Sequence, residues 1–381
     1  MASWIEPFSI AIEQARLDDL RERLRWTRLP DPAPVDGWEQ GVPIAQIERL
    51  RDYWLNQYDW RRCEAALNAL GSFRAGIDGL GIHFLHVRSP EPSARPLILT
   101  HGWPGSVIEF LKVAGPLTDP AAHGGDPADA FHLVLPSLPG YGFSDHPSEP
   151  GWTVDRVAAA WLVLMERLGY RRFLAQGGDW GAGVTPAMAM QAPDRVAAIH
   201  LNVSIAQPGP DDVLTPEEQA IAAAFRRHNQ MGRGYAEQQS TRPQTLGYGL
   251  ADSPIGQAAW IYEKYREWSD CGDDPTNVYS MDEMLDNITV YWLTNSGTSS
   301  GRMYWENRAR DRMVTVKVPV GISIFPRELF RSSRRIAQRL FPTLSYWNEV
   351  SKGGHFAAFE VPDLFVEEVR ACFRLAEARN V

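Results

Sequence analysis

The chain has 381 residues, 44% of them hydrophobic and 22% charged, with a formal net charge of -9. That length suits one large α/β domain with additions, or two domains, and the acidic balance disfavours nucleic acid as a partner. The three cysteines, Cys63, Cys271 and Cys372, are odd in number and far apart. They suggest neither a disulfide framework nor a metal site, and they favour a reducing compartment.

Met1 to Phe8 has no apolar core and carries Glu6 and Pro7, so it does not read as a signal peptide. No apolar run is long enough for a membrane span. Residues 9 to 26 predict an amphipathic helix with Ile12, Leu17, Leu20 and Leu24 on one face, ended by Pro30, Pro32 and Pro34. A second helix opens at Pro43 and carries Ile44, Ile47, Leu50 and Trp54. Together they read as a helical pair docked on a larger body.

From Gly81 the rhythm changes. Ile82–Val87, Pro96–Thr100 and Phe131–Leu135 read as strands, and Val154, Val157, Trp161, Leu164 and Leu168 as a helix stopped by Gly169. Phe173-Leu174-Ala175 and Val196 to Val203 continue the strands. Alternating strands and helices predict an α/β fold with a mostly parallel sheet and helices on both faces. Residues 205 to 310 read instead as helices and polar loops, with helices expected at Glu217–Arg227, Gln257–Trp268 and Met281–Leu293. The natural interpretation is a helical cap inserted over the sheet. Strands resume at Val318–Phe325 and Leu344–Val350, and a last helix runs from about Pro362 to Ala378. The expected organisation is an N-terminal extension leading into the first strands (1–92), a core in two parts (93–204 and 311–381) and the cap (205–310).

Ligands in open α/β sheets sit beyond the carboxyl ends of the strands. Four loops there carry unusual residues: His101-Gly102-Trp103-Pro104-Gly105-Ser106, Gly177-Gly178-Asp179-Trp180-Gly181, Phe325-Pro326-Arg327-Glu328 and Gly353-Gly354-His355-Phe356. The second is Gly-x-Asp-x-Gly at a strand-to-helix corner. It parallels the Gly-x-Ser-x-Gly elbow of α/β-hydrolases, with a carboxylate in the nucleophile's place. Alone, it could be a turn whose aspartate caps the next helix. His355 alone could be a structural histidine and Glu328 a surface charge. Asp179, Glu328 and His355 in that order, however, follow the nucleophile–acid–base order of the fold. An aspartate suggests attack on an alkyl carbon, leaving an ester on the enzyme. His355 would activate water, Glu328 would orient His355, and the N–H groups of Trp103 and Trp180 would form the oxyanion hole. The histidines form no metal-ligand cluster.

These four segments, with Tyr58-Asp59-Trp60-Arg61 and Ile77 to His86, resemble the epoxide hydrolases of the microsomal and juvenile-hormone type nearly end to end. The resemblance implies an α/β-hydrolase fold with a helical cap, no cofactor, and an apolar epoxide and water as substrates. It also implies two cap tyrosines that hydrogen-bond the epoxide oxygen, matching Tyr235 and Tyr304. Microsomal relatives carry an N-terminal membrane anchor, whereas this sequence starts directly with its amphipathic helix, which implies a soluble, cytoplasmic enzyme. A homodimer is left open. The competing readings are a haloalkane dehalogenase using the same aspartate and a non-catalytic, hydrolase-like ligand receptor.

Overall fold

The computed structural model describes residues 4–204, 206–209, 211–309 and 315–378. Among them one sheet has nine strands: β1 (Ile5–Pro7), β2 (Ser72–Ile77), β3 (Leu80–Val87), β4 (Arg95–Thr100), β5 (Phe131–Pro136), β6 (Phe173–Gly177), β7 (Val196–Leu201), β8 (Val320–Ile324) and β9 (Leu344–Glu349). Their spatial order is β1-β2-β3-β5-β4-β6-β7-β8-β9. The first three strands and the β3–β5 pair run antiparallel, and every pair from β5 through β4 to β9 is parallel. Every residue of β6 and β8 is buried, as parallel strands covered on both faces require. The helices Val154–Arg167 and Gly181–Gln191 pack together, the second over β4, β6 and β7. Leu111–Thr118 and Pro362–Ala378 form another pair, against β5 and against β7, β8 and β9 respectively.

The α/β-hydrolase architecture follows the sequence expectation, with instructive differences at the N-terminus. The first helix covers Gln14–Arg25 rather than starting at residue 9. Residues before it satisfy their backbone groups elsewhere: Ile10 N–H donates to Asn68 Oδ1 at 2.9 Å, and Ile12 N–H to Glu64 Oε1 at 2.7 Å. A helix at Trp60–Ala69 was not expected. Asp59 caps it by accepting from Arg61 N–H at 2.9 Å, and Trp60, Cys63 and Leu67 form its buried face. The N-terminal helices dock on the inserted helices. Together with Ile44–Asn56, they touch the inserted helices Pro254–Trp268 and Met281–Leu293. There Tyr58 Oη–H donates to Asp286 at 2.8 Å and Arg62 donates to the same carboxylate at 2.7 Å.

Between β7 and β8 lie the helices Pro216–Arg227, Gly234–Thr241, Pro243–Asp252, Pro254–Trp268, Met281–Leu293 and Ser296–Asn307. The expected boundaries at Ile205, Arg310 and Asp311, and both chain ends, lie outside the described residues. No helix among the described residues is long and apolar enough to cross a membrane.

The corner after β6 explains the glycines of its motif. Asp179 sits at φ +49°, a left-handed conformation that costs a non-glycine residue on the order of 1–3 kcal/mol. Gly181, which opens the following helix, lies so close to β4 that an added Cβ would stand 2.0 Å from the Thr100 carbonyl oxygen. Backbone cannot yield there as a flexible side chain could. Gly181→Ala is therefore expected to lower stability by about 1–3 kcal/mol or more, read as a drop in denaturation midpoint. An unchanged midpoint would show that the corner tolerates a wider turn.

Candidate active site

The corner lifts Asp179 above the sheet between two other strand ends. Trp103 N–H, in the loop after β4, donates to Asp179 Oδ1 at 2.7 Å. His355 Nε2, in the loop after β9, lies 3.3 Å from Asp179 Oδ2. The other ring nitrogen, Nδ1, lies 3.0 Å from Glu328 Oε2 and 3.2 Å from Oε1. Asp179, His355 and Glu328 thus form one continuous chain. Trp180 N–H donates to no acceptor among the described residues, which leaves it available as a second donor at the start of the helix.

Each member is held by backbone. Phe330 N–H donates to Glu328 Oε1 at 3.1 Å, and Arg327 N–H to Gly353 O at 3.1 Å, tying the acid loop to the histidine loop. His355 N–H donates to Trp268 O at 2.9 Å, which ties the histidine to the cap. The loop after β4 is fastened from the cap as well: Asn287 donates to Pro104 O at 2.8 Å, and Tyr291 Oη–H to Gly105 O at 2.9 Å. The Trp103–Pro104 peptide bond is cis.

The electrostatics follow from this packing. Burial opposes charge on His355, but the Glu328 carboxylate and the hydrogen bond that His355 donates to Asp179 outweigh it, and its pKa is raised well above the usual value. The ring therefore rests as an imidazolium between two carboxylates. Burial first, and the Asp179 charge second, push the Tyr235 phenol far up. Tyr304 is raised by burial, then by Tyr235 and Asp179. Both tyrosines are kept protonated at neutral pH, as a hydrogen-bond donor must be.

The structure brings both cap tyrosines against the tryptophans that flank Asp179. Tyr235, on the helix Gly234–Thr241, stacks on Trp103 with ring centroids 4.9 Å apart and planes at 7°. Tyr304, on Ser296–Asn307, meets Trp180 edge-on at 4.8 Å, and the two tyrosine rings are 5.8 Å apart. The other cap and N-terminal tyrosines are placed differently; Tyr248 is exposed and Tyr58 is bonded to Asp286. Two residues near Tyr235 were not singled out from sequence. Trp268 packs on both Tyr235 and His355, with centroids 5.1 and 5.0 Å away. Lys264, its side chain 3% exposed, holds Nζ 5.0 Å from the Tyr235 ring centre and 2.9 Å from Glu263. A lysine on the buried side of a helix is the signal that could have found it. Among the described residues no group of histidine, cysteine or acidic side chains could hold a metal ion.

The sheet order, the inserted cap and a carboxylate at the elbow define an enzyme of the α/β-hydrolase fold with aspartate where others have serine. Residues 5–110 match the epoxide hydrolase N terminus family and residues 95–245 the alpha/beta hydrolase fold family. A Stigmatella aurantiaca protein, provisionally named an epoxide hydrolase, is 55% identical over 98% of this chain and 86% of its own length. Epoxide hydrolase 1 of Sus scrofa is 35% identical over 98% of this chain and 89% of its own. The crystal structure of juvenile hormone epoxide hydrolase from Bombyx mori superposes with a TM-score of 0.91 at 30% identity, covering 100% of this chain and 96% of that one. The chain belongs to the epoxide hydrolase family.

Proposed function

We propose that this enzyme converts an apolar epoxide to a vicinal diol in two steps through an ester on Asp179. The carrying observation is the Asp179 carboxylate, fixed at 2.7 Å by Trp103 N–H and backed by His355 and Glu328. In the first step an Asp179 oxygen bonds to a ring carbon as the ring carbon–oxygen bond breaks. The electron pair goes to the ring oxygen, which takes a proton from Tyr235 or Tyr304; the tyrosine is resupplied from the His355 imidazolium.

Ester formation also removes the Asp179 charge. One of the influences raising the His355 pKa disappears, and the ring becomes a base when a base is needed. In the second step His355 takes a proton from water, whose oxygen attacks the ester carbonyl. The negative charge on the tetrahedral oxygen falls to the N–H groups of Trp103 and Trp180. Collapse breaks the bond between the ester carbonyl carbon and the diol oxygen, which leaves with the proton of the newly added hydroxyl, so that the diol, the carboxylate and the imidazolium result. The rings of Trp103, Trp180, Trp268, Tyr235 and Tyr304 around the carboxylate suit an apolar substrate. We read the cap as residues 205–310, and three free, buried cysteines fit a cytoplasmic location.

A panel of apolar epoxides and chloroalkanes assayed with wild type and Asp179→Asn tests this function. Diol formation from epoxides by wild type alone is expected; halide release from chloroalkanes in place of diol formation would overturn it. Tyr235→Phe and Tyr304→Phe are each expected to slow ester formation about 10–10²-fold, and the double variant about 10²–10⁴-fold. Stopped-flow single turnovers give that rate directly, and a double variant with wild-type ester formation would remove the tyrosines from the mechanism.

A further inference from the structure

Directly against the Asp179–His355 pair is a small cavity of ≈ 20 Å³, lined among others by Glu109, Gln176, Asn202, Asp179 and His355. A cavity needs about 10–15 Å³ and two to four polar partners to hold one water. This one has the size and lining for a single water and is too small for an epoxide. Two of its walls are polar groups that the steps above do not use.

Glu109 lies on the short turn Val107–Phe110, and its carboxyl folds back over Gly105. A Cβ on residue 105 would stand 1.3 Å from Glu109 Oε1, so glycine at 105 is what admits the carboxyl. Gln176, in β6, is 1% exposed. Its Nε2 donates to Asn202 Oδ1 at 2.9 Å, and Asn202 reaches the His355 carbonyl at 3.5 Å. Gln176 Oε1, by contrast, is buried without a hydrogen-bond partner among the described residues. A buried acceptor of that kind costs about 1–3 kcal/mol unless something donates to it.

We infer that Glu109 and Gln176 cradle the water that hydrolyses the Asp179 ester. The inference rests on the two-step reading above. The water donates one hydrogen to Gln176 Oε1 or the Glu109 carbonyl oxygen and the other to His355 Nε2, and its oxygen faces the ester carbonyl. Its proton passes to His355 while the new carbon–oxygen bond forms, so Glu109 holds the water and does not take its proton. Glu109 is suited to this: burial, with Asp179 and Glu360 adding to it, pushes its carboxyl up to about 8, against the lowering effect of His355 and the Ser106 amide. At neutral pH it is a neutral acid, and a carboxamide of the same shape can replace it.

Single turnovers resolving ester formation from ester hydrolysis test the assignment, with the adduct followed by mass spectrometry. Glu109→Leu is expected to leave ester formation within about threefold and to slow hydrolysis about 10–10²-fold, lowering kcat and KM together. Glu109→Gln is expected to restore most of the hydrolysis rate at pH 7, which a merely structural role does not require. Should Glu109→Leu not fold, Gln176→Leu is judged by the same two rates. Equal slowing of both steps, or unchanged hydrolysis, would overturn the cradle. Absence of any adduct even in His355→Gln would instead overturn the two-step reading.

Discussion

Asp179→Ala is expected to abolish diol formation, lowering kcat by about 10⁴-fold or more while the protein stays folded. The effect is expected to be large because the proposed reaction bonds an Asp179 oxygen to substrate, and no neighbour can take its place. Glu328 is turned toward the far side of the His355 ring, and Glu109 is neutral at pH 7. Folding should survive, since the Asp179 side chain is 16% exposed and the corner is shaped by its glycines and by β4 and β6. Asp179→Asn is the gentler version: it keeps the acceptor for Trp103 N–H and tolerates the left-handed backbone. It should also lower the His355 pKa, because one of the two flanking carboxylates loses its charge; histidine NMR across pH reads that shift. Full activity in Asp179→Ala, measured on protein free of wild-type contamination, would remove the nucleophile from the account.

The second large effect separates the two halves of the reaction. In His355→Gln the carboxylate still attacks, because an ionised aspartate needs no base, but water has lost its proton acceptor. Ester hydrolysis is expected to slow by about 10⁴-fold or more while ester formation persists. Roughly one substrate per chain should then accumulate as a mass increase equal to that of the epoxide, on the peptide carrying Asp179. A variant equally slow in both steps would mean that His355 chiefly sustains the position or charge of Asp179. The position of the His355 ring, 3.3 Å from Asp179 Oδ2 and with its pKa raised, makes that alternative concrete.

Much of the molecule is legible in the chain because local and global signals agree. Met281–Leu293 and Pro362–Ala378 have the expected limits, each with a strong apolar face, and Ser280 with Glu283 forms a capping box on the first. The four loops were readable as a set because strand alternation places them at one edge of the sheet. The helices that deliver Tyr235 and Tyr304 were not. Ser296-Gly297-Thr298-Ser299-Ser300-Gly301 has poor helix propensity. It is helical because small residues let neighbours come close: Gly297 faces Leu250 and Gly301 faces Gln239, each too near for a larger side chain to fit without adjustment. Tertiary packing overrides propensity there, and a single sequence does not display that packing. The strand β2 was obscured in a similar way, because Ser72-Phe73-Arg74-Ala75-Gly76-Ile77 mixes polar and small residues. Glu109 carries no signal of its own in the sequence; only the space above Gly105 shows where its carboxyl goes.

Heavy-oxygen water gives the most direct measurement of the covalent step. The enzyme is allowed to turn over many equivalents of epoxide in labelled water, then digested, and the peptide containing Asp179 is weighed. If water attacks the ester carbonyl, label enters the Asp179 carboxylate with repeated turnovers and is absent when epoxide is omitted. If water attacked the epoxide carbon directly, label would appear in the diol alone and Asp179 would stay unlabelled, contradicting the ester on which the account depends.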